Sequence, residues 1–250
     1  MKNVFITGAS SGLGRGLALE LAVPGARVGL AARRSELLDS LVLEVQAKGA
    51  EARRFVLDVT DHEATELAAR DYLAWAGGID CVIANAGIGE TSRRQRVQAE
   101  RVAEVFAVNT VGVTNTLLPF LPAMKEQKSG TLVAIGSVAG HRALPGSASY
   151  SASKAAVRTF MDALRMELAS SGVHAMTICP GFVRTPMTDK NRFDMPFLME
   201  CDEACRLMVR SIERRDRTYT FPWQMRFLSC ALKIAPEWVI RRAARRKVRE

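Results

Sequence analysis

The chain has 250 residues, with 35 Lys and Arg against 26 Asp and Glu, a formal charge of +9. That length suits one compact domain, or two at most, with a core large enough to need no disulfide or metal. A composition 48% hydrophobic and 24% charged excludes a disordered chain. The charge is unevenly placed: residues 1–205 hold 22 basic and 22 acidic side chains, and residues 206–250 hold 13 and 4. Any argument from charge to an anionic partner therefore concerns the C-terminal tail alone.

Short apolar runs alternate with helix-length segments. Val4 to Thr7 reads as a strand, glycines follow, and an apolar helix covers Leu13 to Ala22. Arg27 to Ala32 is the second strand, and Ser35 is placed to cap a helix over Leu37 to Gln46. Arg54 to Leu57 is the third strand, and Thr60-Asp61-His62-Glu63 resembles a capping box. Ile79 to Ala84 and Thr131 to Ile135 are further strands. Between them residues 105–124 carry no charge but contain Asn109, Asn115, Pro119 and Pro122. That segment reads as a buried helix, about Ala99 to Leu118, ending near Pro119 rather than spanning a membrane. Tyr150 to Ser170 is helical by pattern, Val173 to Cys179 is a strand, and Thr218 to Phe221 is a short last strand. Such alternation predicts an α/β fold, a Rossmann-type doubly wound parallel sheet of about seven strands with helices on both faces.

Five cysteines, Cys81, Cys179, Cys201, Cys205 and Cys230, form no CxxC pair, and His62, His141 and His174 lie far apart. Neither a disulfide framework nor a zinc site is indicated, which points to no metal and to a reducing, cytoplasmic compartment. The opening Val4-Phe5-Ile6, followed by Gly and Ser, does not read as a signal peptide.

Thr7-Gly8-Ala9-Ser10-Ser11-Gly12-Leu13-Gly14 joins the first strand to the first helix. Glycines let backbone approach a phosphate, and the helix start offers free N–H groups and the positive end of its dipole. The second strand ends Ala31-Ala32-Arg33-Arg34, where an NAD-preferring fold carries an acidic residue for the ribose. Guanidinium groups there suit the 2′-phosphate of NADP, with Arg15 a further candidate.

With these motifs the chain resembles the short-chain dehydrogenase/reductase family, over residues 7–185. Asp58-Val59 matches the family's adenine contact, and Asn85-Ala86-Gly87 its NAG motif. Asn109, Ser137, Tyr150 and Lys154 match its four catalytic positions. Pro180-Gly181, Val183 and Thr185 match the segment at the nicotinamide end. The resemblance implies an NADP-dependent oxidoreductase acting on a carbonyl or alcohol, and a homo-oligomer formed through the helices at 99–118 and 150–170. It also gives Lys154 a hydrogen bond to the nicotinamide ribose, and Asn109 a water that links Lys154 to solvent.

Tyr150 and Lys154 are four residues apart and share a helix face. A nearby ammonium favours phenolate, so Lys154 is expected to lower the pKa of Tyr150 toward a useful acid/base range. Ser137 ends the fifth strand, where its hydroxyl can orient a substrate oxygen. Candidate substrate loops are Ile88 to Arg94, Gly140 to Ser149, and Met187 to Met199 within a lid at about 185–205. The Met and Phe residues of the lid suit a lipophilic substrate. Two competing readings use the same fold without turnover: an NADP-binding sensor and a membrane-surface interaction protein.

Residues 1–221 then form the oxidoreductase domain, and 222–250 a basic amphipathic extension. From Gln224 to Ile234 an apolar helical face carries Met225, Leu228 and Leu232, and Pro236 is placed to start a second helix bearing Arg241, Arg242, Arg245, Arg246 and Arg249. The extension suits docking on the body, a subunit contact or an anionic membrane surface, with nucleic acid the weakest match.

Overall fold

The computed structural model describes residues 1–89, 98–142, 146–189, 191 and 194–234. The first half runs β1 (Asn3–Thr7), α1 (Gly12–Leu21), β2 (Arg27–Ala32), α2 (Ser35–Ala47), β3 (Glu51–Val56), α3 (His62–Ala76) and β4 (Cys81–Ala84). A long interrupted helix follows: α4 (Ala99–Phe106), a π turn at Ala107–Val111, α5 (Gly112–Leu117), a 3-10 turn at Leu118–Phe120, and α6 (Leu121–Gln127). Then come β5 (Gly130–Ile135), a 3-10 turn at Val138–Gly140, α7 (Ala148–Glu167) and β6 (Val173–Pro180). The last elements are α8 (Cys201–Glu213), β7 (Thr218–Phe221) and α9 (Trp223–Ile234).

The seven strands form one parallel sheet in the order β3-β2-β1-β4-β5-β6-β7. The chain winds outward from β1 to β3, then returns to β4 and winds the other way. That reversal opens a crevice at the carboxyl ends of β1 and β4.

Alternation along the strands sorts the core into two layers. Val4 and Ile6 of β1, Cys81 and Ile83 of β4, and Val133 and Ile135 of β5 pack with Leu17, Leu38, Leu41, Met208 and Ile212 of α1, α2 and α8. Phe5, Val82, Leu132 and Ala134 point the other way, onto α3, α5 and α7 through Tyr72, Leu117, Val157 and Met161. Rings of Phe5, Phe55, Tyr72 and Phe120 interlock there, Phe5 and Phe120 with centroids 4.9 Å apart. A Cβ at Gly29 would lie 2.6 Å from the Phe5 and Tyr72 rings, so β2 must carry glycine at that point.

Several expectations shift. The helix expected to end near Pro119 continues to Gln127. The chain tightens to a 3-10 turn at Leu118–Phe120, and both prolines fall at the first or second position of a new helical segment, where a missing N–H costs little. The segment from Ala99 to Gln127 is long and apolar enough to cross a membrane, but Val105, Val113, Leu117, Phe120 and Met124 are buried in the core. Ser35 lies inside α2 rather than capping it, and the cap position belongs to Arg34, whose side chain turns away. Asp61 caps α3 through the Ala64 N–H, while Thr60 is engaged with Asp58. The lid expected at about 185–205 loses its last five residues to α8, a helix the sequence pattern did not reveal. Residues 235–250, with the second tail helix expected there, lie outside the described residues.

Candidate active site

A cleft of about 380 Å³ opens at the carboxyl ends of the central strands. One end is the turn between β1 and α1. Gly8 adopts φ +68°, and a Cβ on it would lie 2.7 Å from the Ala86 backbone. A Cβ on Gly14 would lie 2.3 Å from the Gly8 carbonyl oxygen. Gly14 therefore sits beneath the turn, while Gly8, Ser10, Ser11, Gly12 and Leu13 line the cleft. Asn85 holds the turn from the β4 side, its Nδ2 donating to the carbonyls of Thr7 at 3.0 Å and Gly8 at 3.2 Å. Ser11 stands at the N-cap of α1 without a side-chain cap bond, which leaves the first N–H groups of the helix without an intrahelical partner.

Arg33, Arg34, Asp58 and Val59 line the same end. The Arg34 guanidinium reaches over the turn, donating to Ser10 Oγ at 2.8 Å and Ser11 Oγ at 2.8 Å. Arg33 pairs with Asp58 at 3.4 Å. Burial raises the Asp58 pKa, but the Thr60 N–H and hydroxyl and Arg33 outweigh it and hold the carboxyl below its usual range. Arg15, expected to assist here, pairs instead with Glu44 of α2 and does not line the cleft.

The other end gathers Ser137, Tyr150 and Lys154, with Ala86, Gly87, Pro180, Gly181, Val183 and Thr185 between and around them. Ser137 leaves the end of β5 and accepts from the Ala139 N–H at 3.1 Å, which fixes its hydroxyl at the cleft wall. A hydrogen bond joins its side chain to the Tyr150 phenol. Lys154 is buried, with its Nζ donating to the Ile135 carbonyl at 2.8 Å and lying 5.9 Å from the Tyr150 ring centre. Burial pulls Lys154 down to about 8.

Burial likewise raises the Tyr150 pKa, against the hydrogen bond from Ser137. The expectation that Lys154 lowers the pKa of Tyr150 is therefore corrected for this state. Desolvation outweighs the lowering influences, and the ammonium points at a carbonyl rather than at the phenol.

Asn109 lies in the π turn, fully buried and behind the cleft wall. Its Oδ1 accepts from the Ile88 N–H at 2.8 Å, and its Nδ2 donates to the Ile88 carbonyl at 2.9 Å and to Ser153 Oγ at 3.1 Å. The side chain thus clamps the segment after Gly87. Ile88, Val108, Pro186, Met187 and Thr188 also line the cleft. Of these Val108, Pro186 and Thr188 were missed as individual residues. Val108 adjoins Asn109, and Pro186 follows Thr185, which is the signal that could have found them. A Cβ on Gly89 would lie 3.5 Å from Met187 Cγ, so the lid reaches across to the segment after β4. Residues 90–94, 143–145, 190, 192 and 193, which belong to the three expected substrate loops, lie outside the described residues.

A phosphate-suited turn, a basic far end and a hydroxyl–phenol–ammonium group share one cleft. The family model described as short chain dehydrogenase matches residues 2–196. The chain belongs to the short-chain dehydrogenase/reductase family. Like its relatives it is an oxidoreductase of the nicotinamide-dependent kind. A protein of Myxococcus xanthus (strain DK1622) named an uncharacterized oxidoreductase is 46% identical over 245 residues, 98% of this chain and 97% of its own. An alcohol dehydrogenase from Thermococcus sibiricus, solved with 5-hydroxy-NADP, is 30% identical, with a TM-score of 0.78 over 88% of this chain and 95% of its own. A short-chain dehydrogenase/reductase from Burkholderia phymatum, solved with NAD, is 27% identical, with a TM-score of 0.81 over 88% of each chain.

Proposed function

We propose that the chain interconverts a ketone or aldehyde with the corresponding alcohol and takes NADP(H) as its cofactor. The observation that carries this reading is the grouping of Ser137, Tyr150 and Lys154 at one end of a cleft whose other end carries Arg33 and Arg34. The donor set suits the cofactor. Unpaired N–H groups at the start of α1 and the Ser10 and Ser11 hydroxyls suit the bridging phosphates. Arg34 already spans two hydroxyls with its fork and suits a 2′-phosphate, and no carboxylate ends β2 to oppose one. Asp58 and Val59 flank the adenine end, and Gly181, Val183 and Thr185 flank the nicotinamide end.

The bound nicotinamide supplies or removes hydride. Tyr150 donates a proton to the substrate oxygen in reduction and takes it back in oxidation. Ser137 orients and polarises that oxygen. The Lys154 ammonium, in a pocket of low dielectric, favours the phenolate as it forms. Asn109 is a positioning residue that holds the Ile88 segment against Ser153 of the catalytic helix. Burial raises the Tyr150 pKa and so favours the protonated phenol, the form that carbonyl reduction needs. Ile88, Val108, Pro186 and Met187 give the mouth an apolar lining and support a lipophilic substrate. Residues 1–221 act as the oxidoreductase domain, with 185–200 as its lid and 222–250 as an extension. Exposed Val111 and Met166 support self-association through the long helices, as the family resemblance implies.

The test follows NADPH and NADH oxidation across carbonyls graded by chain length, with a Tyr150→Phe variant beside the native chain. Turnover falls by about 10² to 10⁴ in the variant while NADPH binding is kept. Surviving turnover removes Tyr150 as the acid, and equal use of NADH removes the NADP preference.

A further inference from the structure

The described residues expose three aromatic side chains: Phe197 at 50%, Trp223 at 67% and Phe227 at 69%. All three leave the carboxyl ends of β6 and β7, the edge of the sheet that holds the cleft. Trp223 and Phe227 lie one turn apart on α9 and meet edge to face, with centroids 5.9 Å apart. Leu228 beside them is 40% exposed, and the lid's Met187 is 43% exposed. The other side of α9 is already docked. Met225 and Ser229 are buried there, and a Cβ on Gly181 would meet Met225 Cγ at 2.9 Å. The aromatic side is therefore left facing outward by the packing of α9 itself.

The same part of the chain carries the excess charge. Residues 222–250 hold eight Lys and Arg against two Glu, and the sixteen residues after Ile234 hold six of those eight and both Glu. An occupant of the aromatic face must accept this charge. A second copy docking through the same face would bring an equal positive charge against it. An anionic lipid surface answers both needs, because aromatic side chains favour the headgroup boundary and clustered basic residues are drawn to acidic headgroups.

We propose that α9 docks the cleft-bearing edge of the sheet on an anionic phospholipid bilayer, through Trp223, Phe227 and Leu228, with the sequence charge of residues 222–250 favouring an acidic surface. Docked in this way, the mouth beside Met187 opens toward the membrane. A lipophilic carbonyl or alcohol then enters from the lipid rather than from water. That access rests on the substrate class proposed above, whereas the docking does not.

Binding of the full chain is measured by co-sedimentation with phosphatidylcholine vesicles, with and without 30% phosphatidylglycerol, in the absence of substrate. The chain binds the anionic vesicles, and binding weakens at high salt. Trp223→Ser/Phe227→Ser weakens it at least tenfold, as does Gln in place of Arg241, Arg242, Arg245 and Arg246. Turnover of a water-soluble carbonyl, kept in both variants, shows that the fold is intact. Absence of a preference for anionic vesicles overturns the proposal. So does unchanged binding of the aromatic variant, or a loss of oligomer in sedimentation equilibrium that marks the face as a subunit contact. Loss of turnover on every carbonyl in the native chain, with vesicle binding retained, would overturn the enzymatic reading and leave the docking standing.

Discussion

Replacing Lys154 by Met tests whether the folded chain holds this ammonium at a cost. Burial brings Lys154 down to about 8 from an ordinary 10.5. At 1.36 kcal/mol per pKa unit the gap corresponds to about 3 kcal/mol. The sign follows from proton counting. Below pH 8 both the folded and the unfolded chain bind the proton, and the folded chain bears the full penalty. Between pH 8 and 10.5 the unfolded chain binds more protons, so stability rises with pH. Lys154 alone adds about 1 kcal/mol between pH 7 and 9. The Met variant loses that slope and also strips the Ile135 carbonyl of its donor, at about 1–3 kcal/mol. Its net stability at pH 7 therefore falls within about 2 kcal/mol of the native chain. The assay is urea unfolding of both proteins at pH 7, 8 and 9, read as the difference between them, in which other titrating groups cancel. The native chain gains on the variant as pH rises. A difference that stays flat, or moves the other way, refutes the assignment of a strained, buried ammonium.

Two further substitutions separate binding from folding. Arg34→Ala removes the guanidinium that spans Ser10 and Ser11, and the KM for NADPH rises about tenfold to a hundredfold while that for NADH changes little. Parallel losses with both cofactors would reassign Arg34 to shaping the turn. Gly14→Ala forces a Cβ to 2.3 Å from the Gly8 carbonyl, a backbone atom that cannot yield. Thermal or urea unfolding reads a loss of about 1–3 kcal/mol, and an unaffected variant would show that α1 can shift away from the turn.

The strands and the motif order were legible because the evidence for them is local. β2 and β7 coincide with the expected spans Arg27–Ala32 and Thr218–Phe221, since each is a short β-prone run between turns. What was not legible depends on partners far away in the chain. Arg15, Arg33 and Arg34 are all candidates for the phosphate end of the cleft, and nothing local says which one turns inward. Arg34 does so because the start of α2 aims it at Ser10, whereas Arg15 finds Glu44. Helix α8 went unseen because its buried stripe of Ala204, Cys205, Met208 and Ile212 is small and set among charged residues. Gly16 explains why a small side chain stands at Cys205. A Cβ on Gly16 would stand 2.5 Å from Cys205 Sγ, so α1 and α8 pack closely enough to exclude larger side chains. Pro119 misled for the opposite reason: its local signal is strong, and the buried helix overrides it by tightening one turn.

The Tyr150–Lys154 pair shows where spacing ends and environment begins. Four residues on a helix do put the two on one face, but spacing says nothing of how dry that face is. In the folded chain desolvation acts on both, raising the phenol and lowering the ammonium, so each is driven toward its neutral form. A neutral phenol is an acid in waiting, and the Ser137 hydroxyl is hydrogen-bonded to it. On the proposed mechanism a developing oxyanion would draw that proton, and the charge left on Tyr150 would then meet the Lys154 ammonium at close range in low dielectric. On that proposal the attraction that the sequence assigns to the resting state would belong to the moment of proton transfer, where it would lower the barrier instead of stabilising the ground state.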